Sequence, residues 1–359
     1  MPETYDSIRP GRLWLDTNGK RIQAHGGSLL FEYGTYYWYG ENKEHSKPGS
    51  DVWTWGIRCY SSTDLYNWED RGLIIPPVLD DPSSPLHPSQ FVDRPHIVRH
   101  PRTGKYVCWI KIMDKDGSQR STVLTADSLL GPYEIVRTGI RPLSMDAGDF
   151  DLVVDPVDGK GYYYFERVHS ELVCADLTEE YTDVTGYYST HFPHRHPPMV
   201  REAPAYFRRD GRHYLITSGT SGYFPNRSEV AVADTYHGPY TVLGDPHPSD
   251  ASGTSFRSQI SSVFRHPAHP DLYIAIADRW LPHLSEEESD QTEAFHRYFG
   301  RHFGEKVSGG AEVSLPPQEF DTSMADHVWL PLRFDGDMPV IEWRDEWRIE
   351  DVVGHGGPA

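Results

Sequence analysis

A hairpin signature recurs five times along the chain: a polar residue, a short apolar run, a turn, and then an aromatic-rich run. The first copy is Ser28-Leu29-Leu30-Phe31, Tyr33-Gly34, Tyr36-Tyr37-Trp38-Tyr39. The second runs from Asp93-Arg94-Pro95-His96-Ile97-Val98 to Tyr106-Val107-Cys108-Trp109, and the third from Asp149-Phe150-Asp151-Leu152 to Tyr162-Tyr163-Tyr164-Phe165. Glu202-Ala203-Pro204-Ala205-Tyr206-Phe207 opens the fourth, and Gln259-Ile260-Ser261-Ser262-Val263-Phe264 the fifth. Self-similarity of this kind dictates architecture, because each unit buries its apolar face only against the next. Five copies spaced by roughly 50 to 70 residues suit four-stranded blades around a central channel. The expected fold is therefore all-β, a single five-bladed β-propeller over residues 1–359, with a long insertion at about 284–326. Segments such as Tyr60-Ser61-Ser62-Thr63-Asp64-Leu65, echoed at Thr125–Tyr133 and Ala233–Tyr240, are expected to end each blade and pass the chain onward.

Composition agrees with short strands joined by turns. The 31 Gly and 29 Pro interrupt the chain too often for long helices, and the aromatic residues favour strands. A formal charge of −19 repels phosphate-rich and anionic-lipid partners, so neither nucleic acid nor a membrane is expected. Met1-Pro2-Glu3-Thr4-Tyr5-Asp6 lacks the basic and apolar regions of a secretion signal, which predicts a cytoplasmic location. Cys59, Cys108 and Cys174 lie far apart inside strand-like runs and read as buried free thiols.

Blades present the starts of their innermost strands around one mouth of the channel, so residues scattered in sequence converge there. Aligned on the hairpin turns, those residues are His25, Asp93, Asp149, Glu202 and Gln259. Three carboxylates, an imidazole and an amide at equivalent positions are poor core packing but good glycosidase chemistry. Cleaving a glycosidic bond takes an acid to protonate the leaving oxygen and, for inversion, a base about 6.5 to 9.5 Å away. Glu202 precedes an apolar strand, where desolvation would raise its pKa into the range of an acid active near neutrality. Asp149, one blade earlier, would orient it and tune its ionisation. Asp151 shares a strand face with Asp149, so the assignment could slip by two residues. Ala24-His25-Gly26-Gly27 offers no carboxylate where the first blade would carry a base.

These stretches resemble glycoside hydrolase family 43, and within it the exo-β-1,3-galactanase branch. The matching segments are Gln23–Gly27, Tyr36–Glu41, Arg94-Pro95, Arg201–Pro204, Thr217–Gly219, Asp278–Trp280 and Val328–Leu332. The resemblance implies an inverting exo-acting enzyme in which Glu202 is the general acid, Asp149 modulates it and Gln259 handles the water. An ordinary amide is no base near pH 7, so Gln259 reads equally well as a water holder. His25, Glu41, Asp93, Arg94, Tyr223, Arg279 and Trp280 are the candidates for holding substrate. Asp93 stands where the branch leads us to expect Glu, and Tyr223 where we expect Trp. The expected substrate is a short oligosaccharide releasing β-1,3-linked galactose, with another exo-activity of the family, on arabinofuranosides or galactofuranosides, as the alternative.

Trp38, Tyr39, Trp53, Trp55, Tyr223 and Trp280 are candidates to stack on pyranose faces, while Trp343 and Trp347 read as blade packing. His191, His194 and His196 cluster in a Pro-rich loop with no metal-ligand spacing, so no metal and no cofactor is expected. Two rival readings have sequence motives. Arg94, Arg201, Arg257 and Arg279 near the mouth could hold phosphate for a sugar phosphorylase. The missing carboxylate of the first blade would suit a sugar-binding propeller without catalysis. The insertion is expected to be a lid, a subunit contact or a solvated loop, and the oligomeric state is open.

Overall fold

A computed structural model describes residues 4–306 and 320–353. Its strands form five antiparallel four-stranded sheets, each built from strands consecutive in the chain. The first holds β1 (His25–Glu32), β2 (Thr35–Glu41), β3 (Ile57–Ser62) and β4 (Glu69–Ile75). The second holds β5 (Phe91–Arg99), β6 (Tyr106–Met113), β7 (Gln119–Ala126) and β8 (Glu134–Ile140). The third comprises β9 (Ala147–Val154), β10 (Gly161–Arg167), β11 (Glu171–Leu177) and β12 (Val184–His191). The fourth comprises β13 (Arg201–Arg209), β14 (Arg212–Gly219), β15 (Glu229–Ala233) and β16 (Thr241–Gly244). The fifth is β17 (Gln259–Arg265), β18 (Tyr273–Arg279), β19 (Asp326–Asp335) and β20 (Met338–Ile341). The first strand of each sheet touches the first strand of the next, and β17 returns to β1, so the ring closes as the expected five-bladed propeller.

Local sequence explains the hairpins. Tyr33-Gly34 (φ 50° and 82°) and Asp210-Gly211 (φ 51° and 81°) place two consecutive residues at positive φ, the turn whose twist matches that of paired strands. Burial falls from the axis outward: β9 is buried along nearly its whole length, whereas β8 and β12 are mostly exposed. Their polar residues, such as Arg137 and Thr138, keep an edge strand from recruiting other chains. The Tyr60–Trp68 segment and its echoes join the third strand of a blade to the fourth, rather than one blade to the next. That expectation is corrected because the fourth strands are short or, like β8, largely exposed, and leave little periodic signal.

The first and fifth blades are bound by a tryptophan cluster. Trp14 packs edge-on against Trp38 and Trp329, with ring centroids 5.8 and 5.1 Å apart, and Ile8 pairs with Trp347. Trp38 and Tyr39 are thus core residues rather than sugar platforms. Trp55 packs edge-on against His45 and does not line the central cavity. Cys59, Cys108 and Cys174 are buried and free. No helix among the described residues is long and apolar enough to cross a membrane.

The insertion lies between β18 and β19. Ser285 opens α1 (Glu286–Ser289) with a capping box closed by Glu288, and α2 (Thr292–His302) follows. Phe295 and Phe299, one turn apart on α2, join Phe224, Trp280 and Leu281 in an apolar cluster. The described part of this connection is therefore packed onto the propeller. Its residues 307–319 lie outside the described residues.

Candidate active site

Each of the five rim positions sits at a β-bulge. The register between first and second strands slips between His25 and Ser28, Asp93 and His96, Ala147 and Phe150, Glu202 and Ala205, and Ile260 and Ser262. An extra residue on the inner strand bends it and re-aims the neighbouring side chains. Three bulges contain a residue at positive φ: Gly26 (62°), Arg94 (53°) and Ala203 (47°). For Arg94 and Ala203 this conformation costs about 1–3 kcal/mol, and it persists because surrounding contacts fix it.

The bulges open a cavity of about 250 Å³ at the end of the channel. Of the predicted site residues, Glu41, Asp93, Arg94, Asp149, Glu202, Gln259, Tyr223 and Trp280 all line it. Glu202 is buried. Loss of hydration, reinforced by the nearby Asp149 and Glu166 carboxylates, pushes its pKa well above the ordinary value. Burial alone would raise Asp149 too, but the Arg94 guanidinium (3.0 Å) and the Lys111 ammonium (2.8 Å) outweigh it and hold the carboxyl at about 2. Two carboxyls on the wall of one cavity are thereby driven in opposite directions, which is how acid and base roles are separated in one site. Asp151 lies on the same strand but accepts from the Tyr206 backbone at 2.7 Å and faces His96 at 3.0 Å, so it is occupied below the rim.

Gln259 donates through Nε2 to Ser218 Oγ (2.9 Å) and to Glu202 Oε1 (3.3 Å). Its Oε1 accepts from Arg94 and from Trp280 Nε1. With both acceptor directions filled, this amide meets its neighbours as a donor. Asp93 accepts from Trp53 Nε1 at 2.6 Å and lies 3.4 Å from Lys111. Glu41 pairs with the fully buried Lys43 at 2.7 Å and accepts from the Arg94 backbone N–H at 2.9 Å. Burial raises Glu41 to about 7, against the opposing pull of Lys43.

Two predicted contacts are corrected. His25 is fully buried and does not line the cavity; its Nδ1 lies 2.9 Å from Asp278 Oδ1, and its ring stacks on His327 beneath Trp280. It supports the wall rather than the ligand. Arg279 points away because side chains alternate along β18: its guanidinium donates to the Phe256 carbonyl and lies over the Trp343 ring. Arg201 and Arg257 are likewise turned onto backbone carbonyls, of Thr217 and of Pro282 and Leu284. Of the four arginines proposed for phosphate, Arg94 alone lines the cavity, and it is already paired with Asp149.

Sequence reasoning missed Lys43, Lys111 and the pair formed by Glu166 and His169 (2.7 Å), whose histidine also lines the cavity. Lys111 had a readable signal, a lone charge inside Tyr106-Val107-Cys108-Trp109-Ile110-Lys111-Ile112. Among the described residues, His25, Asp278 and His327 form the one group able to gather three ligand atoms, all within 4.8 Å. Both imidazoles face the same Asp278 oxygen at 2.9 and 3.1 Å while its other oxygen accepts from the Gly26 N–H, which is a closed hydrogen-bond set. His191, His194 and His196 form no such group.

Comparison with known proteins adds the family. The model of the glycosyl hydrolases family 43 matches residues 24–297. The chain belongs to glycoside hydrolase family 43. It is thus a glycoside hydrolase, and its propeller is the family 43 fold. Among solved structures, one family 43 β-1,3-galactosidase aligns at 26% identity with a TM-score of 0.79 over 98% of this chain. This chain spans 65% of that protein's length. A second β-1,3-galactosidase, solved with galactodeoxynojirimycin, aligns at 28% identity and 0.75 over 95% of this chain and 100% of its own. An exo-β-1,3-galactanase from Phanerochaete chrysosporium, solved with β-1,3-galactotriose, aligns at 25% and 0.76, covering 98% of this chain and 70% of its own. A search of curated proteins matches none.

Proposed function

We propose that this family 43 enzyme is an inverting, exo-acting hydrolase that removes β-1,3-linked galactose from short galacto-oligosaccharides, with Glu202 as general acid. What carries the reading is the placement of Glu202 and Asp149 on the wall of one cavity, with surroundings that push their pKa values in opposite directions. The similarity to β-1,3-galactosidases and exo-β-1,3-galactanases supports the sugar and the linkage.

In this reading Glu202 Oε1 accepts from Gln259 and leaves Oε2 to carry the proton. As the C1–O bond lengthens, that proton passes to the glycosidic oxygen, which departs with the bonding pair as an alcohol. Asp149 stays ionised throughout and keeps Glu202 protonated until the transfer. Water then adds to C1 from the opposite face and loses a proton. In a ring of five, the first two blades stand opposite the fourth, and they bring Glu41 and Asp93 to the same cavity. Carboxylates able to take the water's proton therefore face the acid, while Gln259, with its acceptor positions filled, orients by donation.

The test is incubation with β-1,3-galactobiose, aryl β-galactoside and aryl α-arabinofuranoside, with proton NMR of the sugar first released. Release of α-galactose from the β-linked substrate is the expected result, and initial β-galactose would contradict single displacement. Glu202→Gln is expected to lose about 10²- to 10⁴-fold in rate on the disaccharide. Equal sugar release by wild type and Glu202→Gln would remove Glu202 from the mechanism.

A further inference from the structure

The outer part of the catalytic cavity differs in chemistry from its inner part. Polar groups come from the starts of the innermost strands, whereas the wall beyond them is aromatic. Ring contacts run without a break from Trp53 to Tyr223 (5.6 Å), Tyr223 to Phe320 (6.1 Å), Phe320 to Phe224 (5.3 Å), Phe224 to Phe295 (6.3 Å) and Phe295 to Phe299 (6.3 Å). Phe295, Phe299 and Phe320 all come from the insertion between β18 and β19, and all three line the cavity. Hydroxyls on this side are turned away: Thr220 Oγ1 donates to the Val200 carbonyl and Ser221 Oγ to the Phe224 carbonyl. The opposite wall, with Met113, Gln119 and His169, keeps polar groups.

We infer that this phenylalanine wall is a leaving-group site for an aglycone with an apolar or aromatic face. The inference rests on the hydrolytic reading above. An exo-acting enzyme seats the terminal sugar against the polar groups, where Glu202 reaches the scissile oxygen, so the departing group lies outward against the insertion. Phenylalanine side chains offer it area and ring faces but no hydrogen bond. Binding energy there depends on apolar contact, and an aryl or alkyl-aryl glycoside exploits it more fully than a hydroxyl-rich sugar does.

The experiment uses the full chain and first identifies the cleaved sugar with the panel above. Competitive inhibition constants are then measured for methyl and phenylethyl 1-thio-glycosides of that sugar. The phenylethyl compound is expected to bind at least about tenfold more tightly. That ratio should collapse toward one in Phe299→Ala and persist in Phe299→Leu, which keeps an apolar surface. Phe320→Ala, outside α2, repeats the measurement in case α2 does not tolerate truncation. A ratio near one in the wild type, or an unchanged ratio in both alanine variants, overturns the inference. Cleavage of arabinofuranosides but not galactosides would instead sink the galactose assignment, and the same aglycone pair on arabinofuranose would still decide the phenylalanine wall.

Discussion

Glu202→Gln should make the protein more stable as well as far slower, with a gain that grows as pH rises. Glu202 is buried, and desolvation followed by the Asp149 charge holds its pKa well above the ordinary value. In the unfolded chain the same carboxyl ionises near about 4.3. Between those two values the folded state binds one proton more than the unfolded state. Wild-type stability therefore falls by up to about 1.4 kcal/mol for each pH unit gained across that interval. Below the unfolded value both states are protonated and the effect vanishes; above the native value both are ionised and the slope ends. The glutamine variant has no such slope, and every other titrating group is shared, so the difference between the two proteins isolates Glu202. Urea unfolding at pH 5, 6 and 7 should show the gap widening in favour of Glu202→Gln. The pH at which widening stops should coincide with the basic limb of wild-type kcat/KM, since both report the free enzyme's acid. A stability gap constant from pH 5 upward would mean that Glu202 ionises in the fold as it does in the open chain, and the acid assignment would fail.

Asp149→Asn removes the charge that raises Glu202 and leaves Arg94 and Lys111 unopposed, so the basic limb of kcat/KM should move to lower pH by about one unit or more; an unmoved limb would count against the coupling. Lys43→Met strands Glu41 without its buried counterion, while Asp93 keeps Lys111, and should cost about 3–5 kcal/mol in denaturant unfolding. Because Lys43 opposes the rise of Glu41, that carboxyl should also titrate above about 7 in the variant, readable by NMR. Added inorganic phosphate should leave the cleavage rate unchanged and yield no sugar phosphate, because Arg94 is already engaged and Arg201, Arg257 and Arg279 are directed elsewhere.

The propeller was legible because its inner strands carry the aromatic and β-branched residues, at one position per repeat. The fourth strands were not, since sequences such as Glu134-Ile135-Val136-Arg137-Thr138-Gly139 face solvent and carry no clear period. Rim residues could be found by aligning hairpins, but their directions could not. The bulges that aim Glu202 and Asp149 into the cavity, the first with Ala203 at positive φ, are shifts of register that no alternation rule supplies. For the same reason His25 was placed at the ligand when it lies behind Trp280. Lys43 stands only two residues from Glu41, but its burial and its approach to Asp93 depend on the fold, and Phe295 and Phe299 follow a run of acidic residues whose polarity masks the apolar face of α2.

The insertion joins two strands of a single blade, whereas the polar groups lining the cavity come from all five. On the reading proposed above, chemistry and client selection would be encoded in separable stretches of the gene. Residues 284–326 can drift, lengthen or be exchanged, and the protein would acquire new preferences in what it releases while its bond-breaking apparatus stays as it is.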